Sequence, residues 1–168
     1  MMHFINPIEW FSAFPPEWAV FFLSMLPITE LRASIPIGIG VYHIPLIPNA
    51  LIAIAGNLFP SVILLYFMPR LHDWLIEKKF FGGLLKKKLK DAEKKFSGKY
   101  AKYGAVALIL FVGIPLPFTG AWTGSMASFV FNIPFKKAFP LILAGVCIAA
   151  VIMTVLTVFT NGAISLIR

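Results

Sequence analysis

The sequence predicts an all-α integral membrane protein. Two inverted repeats, each a re-entrant helical hairpin followed by a transmembrane helix, are joined by a basic cytoplasmic amphipathic helical arm. Three observations predict this. The 168 residues are 59% hydrophobic with a mean hydropathy of +0.85, more apolar surface than one small globular core hides from water. Charged residues make up only 13% and cluster in one segment. Two uncharged runs of spanning length alternate with two apolar segments that proline and glycine break in the middle.

The amino terminus, "MMHFINPIEW", lacks the basic stretch and small-residue cleavage site of a signal peptide and is expected to be retained. The first repeat is placed at about 14–69. Within it, Trp18 to Pro48 is 31 residues, mostly apolar. As one helix it would reach roughly 46 Å, well beyond a ~30 Å hydrocarbon core. Pro27, Pro36 and Pro45 interrupt it, so two half-length helices joined at membrane depth are expected. Asn49 to Met68 follows, 20 residues without a charge, and forms the first spanning helix.

The arm, residues 70–103, carries Arg70 and ten lysines against Asp73, Glu77, Asp91 and Glu93, a net +7 of the chain's +8. A basic stretch between hydrophobic halves follows the positive-inside rule and is assigned to the cytoplasm of a multi-pass plasma-membrane protein. Leu71, Trp74, Leu75, Leu84, Leu85, Leu89 and Phe96 among the lysines describe a helix whose apolar side lies at the membrane interface, or an ordinary solvated connector.

The second repeat, about 104–161, reproduces the first. Gly104 to Phe131 is broken by Gly113, Pro115, Pro117 and Gly120, and Ala138 to Thr160 is the second span. A shift of 89 positions lays Ala55-Gly56 on Ala144-Gly145 and Val62-Ile63 on Val151-Ile152; one residue of slip lays Pro27-x-Thr29 on Pro117-x-Thr119. Each copy contains one crossing, so the second is inverted relative to the first. Lys136-Lys137 after the second hairpin agree, whereas "YHIPLIPN" after the first has no lysine or arginine. The alternative is a bundle of four spans, two of them kinked at their prolines.

The charges inside the first break carry the functional reading. Glu30 and Arg32 lie in "LPITELRASIPIG", bracketed by Pro27 and Pro36. Residues two apart on an α-helix point about 200° apart, so a straight helix would leave one of them facing lipid. Irregular backbone at depth resolves this where it lines protein or a polar cavity. Intramembrane ionisable residues cost ~2.5 to 3.5 kcal/mol each on insertion and usually serve function. Arg32 offers a planar donor fork suited to phosphate or carboxylate, and Glu30 is the candidate proton-coupling acid. A purely structural ion pair is the competing reading.

The second break, "GIPLPFTGAWTGSMAS", has no charge. Its Thr119, Trp122, Thr123 and Ser125, with Thr29 of the first, are candidate substrate-binding residues if the tips meet at mid-membrane. Pro27, Pro36, Pro115, Pro117, Gly120 and Gly124 are candidate hinge or turn residues. Close packing through small residues is the alternative for this segment.

No enzyme motif stands out. His3, His43 and His72 are scattered, and Cys147 has no partner cysteine, so neither a metal site nor a cofactor is expected. "FSGKY" lacks the upstream glycines of a phosphate loop, and there is no GxSxG. The basic arm is read as a topology signal rather than a nucleic-acid surface.

In order and spacing, "LPITELRASIPIG", a span, a lysine-rich loop, "GIPLPFTGAWTG" and a second span resemble the small multi-drug export protein family over about residues 19–160. That family more distantly resembles the DedA superfamily, whose members are linked to undecaprenyl phosphate recycling and lipid scrambling. The resemblance implies that Glu30 matches the acidic residue ending the first hairpin's proline-rich turn. DedA proteins carry arginines in the second hairpin; "FVGIPLPFTGAW" has none, leaving Arg32 to act alone. The expected activity is movement of an amphipathic substrate between leaflets or across the membrane. An anionic lipid such as an isoprenoid phosphate, anchored by Arg32 and coupled to protons through Glu30, is the first reading. Export of small cationic drugs, or a non-transporting membrane scaffold, are the others. Partners are membrane lipid and an amphipathic small molecule or lipid phosphate. The small lateral bulk of two spans points to a homodimer.

Overall fold

The computed structural model describes residues 14–77, 99–116, 119–131 and 133–167. Within them the chain forms six helices: α1 (Pro16–Met25), α2 (Glu30–Gly40), α3 (Leu46–Glu77), α4 (Lys99–Gly113), α5 (Ala121–Val130) and α6 (Phe135–Ile167). No strand occurs among the described residues. The expected amino-terminal segment, the central part of the arm (78–98) and Pro117 lie outside them.

The two long helices agree with the two uncharged runs. Leu46–Met68 and Phe135–Thr160 are 23 and 26 residues long, enough to cross a bilayer by length and composition. Only 33% of each is buried within the protein, whereas a helix at the core of a soluble protein would be mostly covered. Their outward residues are large and apolar: Leu51, Phe67, Val151 and Phe159 are all exposed. The boundaries differ from the expected ones. Pro69-Arg70 does not end α3, which runs on to Glu77, so the first residues of the arm continue the spanning helix. Pro140 likewise sits inside α6. A proline near a helix start removes few ladder bonds, and membrane helices accommodate others through their neighbours.

The broken segments are helical hairpins rather than kinked rods. The helices α1 and α2 are 10 and 11 residues long, about 15 and 16 Å, roughly half the hydrocarbon thickness. Ser24 Oγ lies 2.6 Å from Ser34 Oγ, and Ser24 donates to the Val20 carbonyl. Ten residues of continuous helix would hold those two hydroxyls about 15 Å apart. The helices α4 and α5 fold back in the same way: a Cβ at Gly124 would lie 2.5 Å from Val112 Cγ2.

The chain divides into two compact units, residues 1–59 with 147–168, and residues 60–146. In the first, α1 packs on α2 and on the amino-terminal half of α3. Val20, Leu23, Leu31 and Ile35 are fully buried, and Gly56 admits the backbone of α1, since a Cβ there would strike the Phe21 carbonyl and approach Ser24 Cβ to 2.9 Å. In the second, α4 packs on α5 and on the first turns of α6. Gly145 does for α4 what Gly56 does for α1: a Cβ would lie 2.6 Å from Val112 Cβ and 2.9 Å from the Ile109 carbonyl. Small residues let helix backbones approach where lipid supplies no hydrophobic drive for association.

One contact triad therefore occurs twice. Ser24 meets Ser34 across the first turn and Gly56 on the long helix; Val112 meets Gly124 across the second turn and Gly145 on the other long helix. The paired positions are 88, 90 and 89 residues apart.

Candidate functional site at the first hairpin turn

Residues 26–29 are too short and too poor in donors to continue α1. Leu26 is extended (φ −74°, ψ 136°), and Pro27 has no backbone N–H. Thr29 closes the turn: its hydroxyl donates to the Leu23 carbonyl at 2.5 Å, and its own carbonyl accepts the first bond of α2 from Ala33. Glu30 N–H donates to the Leu26 carbonyl at 2.9 Å. These bonds leave Glu30 at φ 45°, in the left-handed region that a residue with a Cβ adopts only at a cost.

That backbone turn defeats the straight-helix geometry. Glu30 and Arg32 come together with Nη2 and Oε2 3.9 Å apart. The distance exceeds a hydrogen bond, so charge holds the two groups. Glu30 is the inner member, its side chain 6% exposed, and Arg32 the outer, at 23%. The carboxylate stands in the first turn of α2, where the helix dipole favours negative charge.

Two neighbours fix the helix that carries this pair. Ser34, one turn beyond Glu30, is buried against Ser24. Asn49, fully buried on α3, donates from Nδ2 to the Ile35 carbonyl at 3.0 Å, and only glycine at position 38 leaves room for its side chain. Pro36, expected at a turn, lies inside α2 instead. It cannot donate to the Arg32 carbonyl one turn back, and the tie from Asn49 to the adjacent carbonyl supports the helix where its ladder is interrupted.

The second turn uses the same device without charge. Thr119 donates to the Ile114 carbonyl (2.9 Å) and the Leu116 carbonyl (2.8 Å) and accepts from Leu116 N–H (3.2 Å). Gly120 precedes α5 with φ 129°, open only to glycine. Pro115 lies in this turn. Gly124, expected as a hinge, is inside α5 and serves the close contact with Val112. Thr123 donates to the Gly120 carbonyl (3.3 Å) and buried Ser125 to the Ala121 carbonyl (2.7 Å). Trp122 is half-buried.

The expected site residues are thus grouped by turn: Thr29, Glu30 and Arg32 at the first, Thr119, Trp122, Thr123 and Ser125 at the second. Sequence reasoning missed Ser24, Ser34 and Asn49. Two serines flanking a proline turn, and an asparagine next to Pro48 in an apolar run, were the available signals.

A family model described as "Putative small multi-drug export protein" matches residues 30–152, from Glu30 at the end of the first turn through the second turn and into α6. No curated protein matches the chain, and no solved structure does. With most of its length inside that match, the chain belongs to the small multi-drug export protein family of membrane proteins.

Proposed function

We propose that the protein is an integral-membrane transporter that moves an amphipathic substrate, with Arg32 anchoring an anionic group and Glu30 coupling the step to protons. One observation carries the reading. A carboxylate and a guanidinium stand 3.9 Å apart at the turn between two half-length helices, the carboxylate buried and held in left-handed backbone. A chain this apolar would lose nothing in stability by placing leucine at both positions, because a buried ion pair repays its desolvation poorly. Charge retained at such a cost inside a membrane protein serves function.

In this proposal both hairpins are re-entrant, entering and leaving on one side, and the two halves are inverted copies. The recurring contacts of Ser24–Ser34–Gly56 and Val112–Gly124–Gly145 support two copies, and the single crossing helix in each supports inversion. Residues 70–103 then face the cytoplasm, by their lysine excess. Trp122, Thr123 and Ser125 are further candidate substrate contacts. The scaffold reading rests on the basic arm, whose residues 78–98 lie outside the described ones.

The family's description favours export of small drug-like molecules as the second reading. Its cationic form meets a difficulty at this site, since Arg32 beside Glu30 repels a positive ligand. An isoprenoid phosphate satisfies both the guanidinium and the apolar surroundings. Reconstitution into proteoliposomes with a labelled prenyl phosphate, scored for leaflet exchange with and without a pH gradient, tests the proposal. Exchange at the rate of empty vesicles would remove the lipid-phosphate reading.

A further inference from the structure

The arrangement of the Glu30–Arg32 pair says more than that an anion can bind. Of the two groups the guanidinium is the outer one, and the carboxylate lies behind it, closer to the packed interior. An incoming anion therefore meets Arg32 first and competes with Glu30 for it. The distance of 3.9 Å, too long for a hydrogen bond, makes that contact the kind a better-placed acceptor displaces.

The two turns show what the first would look like without this duty. Pro27 and Thr29 correspond to Pro117 and Thr119; Thr29 ties its turn to a carbonyl of the preceding helix, and Thr119 ties its own to the Ile114 and Leu116 carbonyls just past the helix end. By the same offset of 90, Glu30 corresponds to Gly120 and Arg32 to Trp122. Both Glu30 and Gly120 have positive φ. The position is one that glycine fills without strain, and the first turn fills it with a carboxylate.

Charge bookkeeping then fixes what happens on binding. With Glu30 ionised and Arg32 protonated the turn is neutral. A monoanion bound at Arg32 makes it −1, with two negative groups crowded on one guanidinium in a poorly solvated place. Two carboxylates sharing a site resolve the same conflict by holding one proton between them. Protonating Glu30 restores neutrality. Among the described residues, no other ionisable group on the packed elements can take that role. On α1 only Glu17 is ionisable, exposed in the first turn at the end remote from residues 26–29. The half of α3 in this unit, residues 46–59, has none, and α6 from 147 to 160 has only Cys147, exposed. Tyr42 and His43 follow the far end of α2.

We infer that the Glu30 carboxylate is an internal stand-in for the substrate's anionic group. It occupies Arg32 in the empty protein and yields it on binding by taking up a proton, so that one proton enters the site with each anion. This rests on the anion-transport reading above and adds its stoichiometry and direction: proton and anion travel together. The chemistry required of the ligand is a singly charged oxyanion, which for a phosphate monoester is its singly protonated form, borne by a lipid or free in solution.

Calorimetric titration of the purified full-length protein, in two buffers of unequal ionisation enthalpy, counts the protons taken up per ligand. The probes are geranyl sulfate and methyl sulfate, each singly charged and neither titrating between pH 6 and 8. For the wild type, uptake approaching one proton is expected at the alkaline end, with affinity falling by up to about tenfold per pH unit there. Glu30→Gln should bind at both pH values with no uptake, and Arg32→Gln should not bind. Tight binding of geranyl sulfate alone assigns a lipid-borne anion, and equal binding of both probes a free one; either outcome supports the inference if the proton is counted. Arg32-dependent binding with no proton uptake overturns this inference and leaves the transport reading standing. Binding that ignores Arg32 overturns the reading itself. The wild-type proton count needs no variant, so a poorly folding Glu30→Gln would not shield the inference.

Discussion

Ser24 Oγ and Ser34 Oγ are 2.6 Å apart although ten residues separate them, and this one contact fixes the first broken segment as a hairpin. It also predicts a cross-link. With Cys147 replaced by serine to leave no other thiol, a Ser24→Cys/Ser34→Cys variant should form an intramolecular disulfide under mild oxidation, seen as loss of both free thiols. A kinked transmembrane helix would hold the two sulfurs about 15 Å apart and leave them reduced.

Left-handed backbone at Glu30 has a signature separable from its charge. Glu30→Gly and Glu30→Ala both remove the carboxylate, and only the alanine keeps a Cβ at φ 45°. The glycine variant should be the more stable of the two by about 1 kcal/mol. Denaturant unfolding in a mild detergent measures the difference; equal stabilities would mean that the backbone at this position is not strained.

Gly38 and Asn49 are coupled because the asparagine side chain occupies the space a Cβ would need. Gly38→Ala should cost about 1–3 kcal/mol by overpacking. Asn49→Ala gives up the bond to the Ile35 carbonyl but makes room, so the double variant should be less destabilised than the sum of the two singles. Strict additivity would deny the contact.

Gly56 and Gly145 perform one task in two places, and both should resist enlargement. Either glycine replaced by leucine should lower the melting temperature, because an α1 or α4 backbone carbonyl already lies against the site. At Gly104, where a Cβ meets nothing within 4 Å, a substitution to alanine should be tolerated. Thermal unfolding of the three variants side by side checks this.

How far these features could be read in advance depends on their physical range. The spans within Leu46–Met68 and Phe135–Thr160 announced themselves as the uncharged runs Asn49–Met68 and Ala138–Thr160, because lack of charge over a membrane's thickness is a local property of the sequence. The breaks were visible at Pro27 and Gly120 for the same reason. The end of α3 was not, because Pro69 and Arg70 carry a local signal that the helix overrides on its way to Glu77. Pro36 and Gly124, candidates for a hinge or turn, lie inside α2 and α5, since both residue types also serve inside membrane helices, and only the partner across the hairpin decides which. At the site, a pairing of Glu30 with Arg32 was open as one reading, but the backbone that brings it about was not legible. It depends on a left-handed residue, and glutamate gives no hint of one. Ser24, Ser34 and Asn49 act only through residues ten or more positions away.

The most direct test of the account is the selectivity that Arg32 confers. Proteoliposomes containing the wild type or Arg32→Gln are assayed for uptake of a labelled prenyl phosphate and, separately, of a lipophilic cation. The account predicts that Arg32→Gln loses most of the anion flux while cation flux stays flat or rises. Undiminished anion flux through Arg32→Gln, in protein that is folded and correctly inserted, would contradict it.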